Sequence, residues 1–193
     1  MALLIRVASP CAGFEPRPSI ARYLEMLECG TQYTIHIIYV LCYDRSHPAR
    51  AVLEDETLPT LVFATVCTRK RKPWLATPRV HRVLRSSWFR HKNWIVSAYV
   101  VMPDHVHFFA EPGIEPGVFD DWITRWKRGI GRLLKNPDCR WQAGSFHHRI
   151  RCFEDAVEKR LYMDENPVRA GLVKLIRDWP YRGELIKTER WWF

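Results

Sequence analysis

The stretch HVHFFAE, residues 105–111, sets two histidines one residue apart in an otherwise apolar run. Strand side chains alternate between faces, so His105 and His107 point one way while Val106 and Phe108 point the other. One face stays apolar for a core, and the other gains two imidazoles close enough to share a divalent cation. Two nitrogens leave a hard ion unsaturated, so water, substrate oxygens or a further side chain must complete its shell. In a chain with eight histidines the commonest outcome of a bare H-x-H is a pair of exposed imidazoles on a strand. Asp104 stands next to the pair, where it either orients an imidazole from behind or serves the turn. His147 and His148 are adjacent, so at most one could join the same cation, and neither is taken as a ligand.

A second group able to do chemistry lies in LYMDENPVRAGLV, residues 161–173. Tyr162 and Asn166 are four residues apart, which puts both on one side of a helix. Val157 and Leu161 supply the packing face, so Tyr162 turns away from its centre; a half-buried tyrosine anchoring the helix is the alternative.

These groups need elements to hold them. TLVFATVCT (60–68) has the β-branched character of a strand and is followed by the basic loop RKRKP. In TPRVHRVLRSSWFRHK, Thr77 can cap a helix, Pro78 suits its first turn, and Val80, Val83, Leu84 and Trp88 recur at helical spacing. Arg79, Arg82 and Arg85 occupy its other side. NWIVSAYVV and HVHFFAE make two strands joined by MPD. A second helix is expected in GVFDDWITRWKRGIGRLLKN, its apolar stripe running through Phe119, Trp122, Ile123, Trp126, Ile130, Leu133 and Leu134. RWQAGSFHHRIRCF suggests a strand pair turned at glycine. EDAVEKRLYMDE suggests a third helix that stops at Asn166-Pro167, because a residue before proline avoids the α region. This order of strands and helices predicts an α+β fold, an antiparallel sheet with helices packed on it.

With 193 residues, 47% of them hydrophobic, and nine tryptophans, the chain has apolar surface enough for one well-cored domain and is not a disordered chain. Charge is unevenly spread: residues 1–57 hold five basic and seven acidic side chains, leaving 25 basic and 14 acidic on 58–193, a net of +11. That field attracts a polyanion such as nucleic acid or an anionic membrane. Arg125, Lys127, Arg128 and Arg132 lie largely off the apolar stripe of the second helix, free to meet phosphates while the tryptophans pack. The six cysteines form no C-x-x-C pair, so reduced thiols are expected rather than a disulfide framework or zinc ribbon. No signal peptide or membrane span is read in the sequence, and a cytoplasmic protein is expected. Residues 1–57 read as an N-terminal extension of unknown role, containing a short helix in SIARYLEMLECG and a β-rich QYTIHIIYVLCY.

Taken in order, VVMPDHVHFFAEP, WQAGSFHHRIR and YMDENPVRAGLV resemble the single-tyrosine HUH transposases, most nearly the REP-associated tyrosine transposases. The likeness runs over about residues 58–181 and includes DWPYRG after the last helix; 182–193 are left as a C-terminal tail. It implies a ferredoxin-like fold related to RNA-recognition domains. It also implies that His105 and His107 are metal ligands for Mg²⁺ or Mn²⁺, that Asn166 completes the coordination and that Tyr162 is the nucleophile. The expected substrate is single-stranded or hairpin DNA, cleaved through a 5′-phosphotyrosine intermediate by a nucleoid-associated enzyme. A phenol, with a pKa of about 10, needs such help to attack at neutral pH. Arg149, Arg151 and Arg169, near the tyrosine in sequence, join the second-helix cations as candidates for backbone phosphates. Residues 1–57 have no counterpart in the resemblance. Monomer and homodimer, with the tyrosine acting in its own chain or across to a partner, both remain open. So do a nucleic-acid-binding module of the same fold whose active site has decayed, and a metal phosphodiesterase that uses water.

Overall fold

In a computed structural model of the chain, residues 60–150 and 153–186 are described. The expected N-terminal extension, with its helix and β-rich segment, lies outside them, as does Arg151. The elements run β1 (Leu61–Cys67), α1 (Pro78–Arg90), β2 (Trp94–Val101), β3 (His105–Pro112), α2 (Phe119–Leu134), β4 (Phe146–Ile150), α3 (Phe153–Arg169) and β5 (Arg182–Glu184). One sheet takes all five strands in the order β4-β1-β3-β2-β5, every pair antiparallel. This is the ferredoxin-like α+β arrangement, extended at one edge by β5. The boundary expected at residue 181 therefore falls just before a strand that pairs with β2.

The alternation of β1 and β3 divides the core. Val62, Ala64 and Val66 of β1 and Val106, Phe108 and Ala110 of β3 face one side, packed with Val80, Leu84 and Trp88 of α1 and Phe119, Trp122, Trp126 and Ile130 of α2. Leu61, Phe63 and Phe109 face the other side, with Ala156 and Met163 of α3. Strand β2 keeps Trp94, Val96, Tyr99 and Val101 all on the α1–α2 side because a bulge between Val96 and Tyr99 adds one residue and resets the alternation. The tryptophans are core, not a stacking platform: Trp122 and Trp126 are buried. The indole N–H of Trp126 donates to Ser87 Oγ at 2.9 Å.

Helix α1 begins as expected, with Thr77 Oγ1 accepting from Val80 N at 3.3 Å and Pro78 in the first turn. Two expectations are corrected. Residues 141–150 are not a hairpin: Trp141 bridges Thr68 while Phe146–Ile150 pair with Leu61–Thr65. The whole segment therefore follows one edge of β1, and Gly144 at φ +65° shapes the interruption between the two contacts. Nor does α3 stop before Pro167. Proline removes one N–H, but the carbonyls of Asn166 and Pro167 still accept from Ala170 and Leu172 at 2.9 and 3.0 Å. The chain then turns at Gly171, whose φ of +68° is a left-handed conformation open to glycine.

The buried side of α3 runs through Ala156, Val157, Arg160 and Met163, while Leu161, expected to pack, is only half-buried. A cation can sit in that stripe because Arg160 is fully paired. Its Nε donates to Asp164 Oδ2 and its Nη2 to Glu184 Oε1, both at 2.6 Å, tying α3 to β5. The stripe turns Tyr162 outward, 43% exposed, with Asn166 one turn further on.

Candidate active site

On central strand β3 the alternation read from the sequence directs His105 and His107 to the α3 side of the sheet. The rings lie 4.7 Å apart between centroids and are 8% and 2% exposed. Both are oriented through Nδ1. His107 Nδ1 lies 2.8 Å from Thr65 Oγ1, directly across β1. His105 Nδ1 lies 2.7 Å from Asp104 Oδ1. A carboxylate can only accept, so Nδ1 of His105 carries the proton; the 3.4 Å approach of Arg71 Nη2 to the same atom is then no hydrogen bond, since both groups would be donors. Arg71 instead braces the carboxylate, its Nε 2.6 Å from Asp104 Oδ2. Asp104 thus leaves the lone pair of His105 on Nε2, whereas the Thr65 hydroxyl, able to donate or accept, orients the His107 ring without choosing its tautomer.

Helix α3 brings the third and fourth groups. Asn166 Nδ2 is 3.1 Å from His107 Nε2, an amide N–H donating to the ring lone pair. The Tyr162 ring is 5.4 Å from that of His107 and nearly perpendicular to it. The guanidinium of Arg169 lies 4.4 Å from the Tyr162 ring centroid, and its Nη2 donates to the Tyr162 carbonyl at 2.7 Å. All of these groups belong to one chain.

The donor set suits a divalent cation. Two imidazole nitrogens face α3, and a half-turn of the Asn166 amide would replace its N–H with an oxygen donor at the same place. Among the described residues no group of three or more His, Cys, Asp or Glu side chains converges on a metal position; the Asn166 amide is a group that could serve as a third donor beside the two imidazoles. Burial, reinforced by the charges of His105, Arg169 and Arg71, pushes the His107 pKa down to about 3. Burial likewise lowers that of His105, outweighing Asp104. Both rings are thus neutral and able to ligate near neutral pH.

A pH dependence of stability follows. Unfolded, His107 takes up a proton near 6.5; folded, it resists until about 3. Its contribution is therefore complete above about pH 6.5 and is lost as the pH falls from there toward 3, at roughly 1.4 kcal/mol per pH unit. Denaturant melts of the metal-free protein at about pH 7.5 and pH 5 should differ by roughly 2 kcal/mol more for wild type than for His107→Gln.

Among the described residues, the other cations expected to meet backbone phosphates lie apart from the tyrosine. Arg125, Lys127, Arg128 and Arg132 ride on α2, on the opposite side of the sheet. Lys127 Nζ is occupied by the carbonyls of Gln142 and Gly144, and burial lowers its pKa to about 8. Arg149 pairs with Val62, which turns its side chain to the α1–α2 side, away from the tyrosine. His147 faces that side too, 3.6 Å from Asp120, while His148 faces α3 and lies 3.9 Å from Asp155. Sequence reasoning missed Thr65 and Arg71. Thr65 had a signal, a polar residue continuing the face of Leu61 and Phe63; Arg71 had none, because its partner is 33 positions away in a loop.

No family model matches the chain. A REP-associated tyrosine transposase of Escherichia coli (strain K12) is 32% identical over 127 residues, spanning 62% of this chain and 73% of that protein. The solved structure of a REP-associated tyrosine transposase bound to a REP hairpin shares the fold, with a TM-score of 0.56 and 24% identity over 74% of this chain and 82% of that one. On the strength of that sequence identity, and with the ferredoxin-like sheet in common, the chain belongs to the REP-associated tyrosine transposase family.

Proposed function

We propose that the protein is a metal-dependent enzyme that cuts and rejoins single-stranded DNA, with Tyr162 as nucleophile. The observation that carries this reading is the meeting of Tyr162 and Asn166 of α3 with His107 of β3, in one chain and from distant parts of the sequence. His105, His107 and Asn166 would hold Mg²⁺ or Mn²⁺, which when bound polarises the scissile phosphate and offsets charge gathering on its oxygens. The phenolic oxygen of Tyr162 bonds to phosphorus as the bond from phosphorus to the 3′ oxygen breaks. The phenol gives up its proton and the departing 3′ oxygen gains one. The products are a 5′-phosphotyrosine and a free 3′-OH. Rejoining is the reverse, attack of a 3′-OH on that linkage, and needs no other energy source. Arg169, against the phenol ring, steadies its developing negative charge and meets the incoming phosphate. Asp104 and Thr65 fix the imidazoles so that the ligating nitrogens need no reorientation.

Hairpin DNA is the favoured substrate, since the solved relative was bound to a REP hairpin. No helix among the described residues is long and apolar enough to cross a membrane, and a DNA substrate puts the protein at the nucleoid, in the cytoplasm. The test is to incubate wild-type protein with hairpin DNA carrying a single-stranded tail and Mn²⁺, then separate the mixture under denaturing conditions. A protein–DNA species that survives denaturation and disappears with chelator is expected. Tight binding without such a species would mean a module whose catalysis has decayed.

A further inference from the structure

The outward side of α1 takes no part in the site above. Between it and the segment leading into β5 lies a cleft of about 490 Å³, walled by His81, Arg82, Arg85, Ser86, Phe89 and Tyr181. Among the described residues no carboxylate lines it. Arg82 and Arg85 are three residues apart, neighbours on one side of the helix, and both are exposed. Phe89 presents a ring that is 57% exposed at the same cleft.

The cleft is also built from behind. His81 Nε2 lies 2.8 Å from Tyr99 Oη, and Tyr181 meets the His81 ring edge-on at 5.6 Å. Burial pushes the Tyr99 hydroxyl up to about 12 and lowers the His81 pKa, so both groups are neutral and their contact is a neutral hydrogen bond at the back of the cleft. Gly183 makes room for this pair, since a Cβ there would stand 2.8 Å from the Tyr99 oxygen.

We propose that this cleft is a second nucleic-acid site, holding an unpaired nucleotide of single-stranded DNA with Arg82 and Arg85 on its phosphates and Phe89 and Tyr181 against its base. Guanidinium groups beside aromatic rings are the combination that grips a single strand without reading its sequence. A base must be unpaired to offer its face to rings in a recess, so the occupant is a single-stranded tail and not a duplex stem. Helix α1 packs on the opposite side of the sheet from Tyr162, so the cleft holds DNA remote from the cut. The inference rests on the reading that the protein acts on DNA.

The test measures binding by fluorescence anisotropy in chelator, using the full chain and one hairpin with or without a single-stranded tail of about ten nucleotides at either end. Arg82→Ala/Arg85→Ala should bind the tailed hairpin roughly tenfold more weakly. The slope of log affinity against log salt should fall by about 1.4, two phosphates at about 0.7 each. Affinity for the tailless hairpin should stay within about twofold. Phe89→Leu should lose part of the tail affinity with its salt slope unchanged, because stacking releases no counterions. Both variants lie on exposed positions, and their melting temperatures establish that they fold. Wild-type affinity of the double variant for the tailed DNA, an equal loss on both DNAs, or a preference for an RNA tail would overturn the proposal. Adduct formation by wild type, measured alongside, separates the two readings: its absence with the tail effect intact removes strand transfer and leaves the cleft.

Discussion

Tyr162→Phe is expected to eliminate the denaturation-resistant protein–DNA adduct, lowering strand cleavage by about ten-thousandfold or more, while folding and DNA affinity stay close to wild type. The substitution removes one oxygen. The ring retains its edge contact with Phe63 at 6.4 Å, its approach to His107 at 5.4 Å and the guanidinium of Arg169 at 4.4 Å. Because the residue is 43% exposed, deleting the hydroxyl empties no buried space. What disappears is the only atom of the side chain that can bond to phosphorus. The measurement is a denaturing gel of labelled DNA with and without Mn²⁺, beside anisotropy binding curves for both proteins. Cutting by the variant at the wild-type rate would mean that water or another side chain attacks, and the phosphotyrosine mechanism would fall.

How much of this was readable beforehand depended on the range over which each feature is determined. Features set by local geometry were legible: the shared face of His105 and His107 needs only strand alternation, and the start of α1 needs only Thr77 and Pro78. Tyr162 and Asn166 share a helix side by spacing alone. The end of α3 was misread because a proline inside a helix costs one hydrogen bond. Contacts of α3 elsewhere, among them the Arg160 pairs to Asp164 and Glu184, hold the helix through that loss. Residues 141–150 were misread because a glycine turn can fold a hairpin or merely interrupt a strand. Which it does here is decided by β1, some 80 positions earlier in the chain.

Charge was the least legible. The basic excess was real, but composition does not tell which side of a sheet a helix covers. The α2 cations, read as candidates for backbone phosphates, lie on the side of the sheet away from the tyrosine. Of the cations singled out and described, Arg169 is the one the fold delivers to Tyr162, with which it shares a helix. Arg82 and Arg85 of α1, placed by the sequence on the side of that helix away from its apolar residues, border a cleft closed by the segment that leads into β5.

His107→Ala should reduce adduct formation and rejoining by roughly a thousandfold and abolish Mn²⁺ binding at micromolar metal, seen by calorimetry without any DNA present. His107 is the ring with most to lose. It is 2% exposed, held through Nδ1 by Thr65 at 2.8 Å and met at Nε2 by Asn166 at 3.1 Å. It thus links the strand to the helix that carries the nucleophile. Removing it deletes a metal donor and also the partner that fixes the Asn166 amide, so two of the three proposed donors fail together. The variant also empties space beside Phe63, whose ring stacks on His107 at 5.5 Å, at a cost of about 2 kcal/mol in stability. His107→Gln separates the two effects, because it fills more of that space without restoring the nitrogen in place: its melting temperature should recover toward wild type while metal binding stays lost. If either variant kept Mn²⁺ affinity and chelator-sensitive cleavage, the cation would have to sit elsewhere, and the pairing of β3 imidazoles with the α3 phenol would have no chemical purpose.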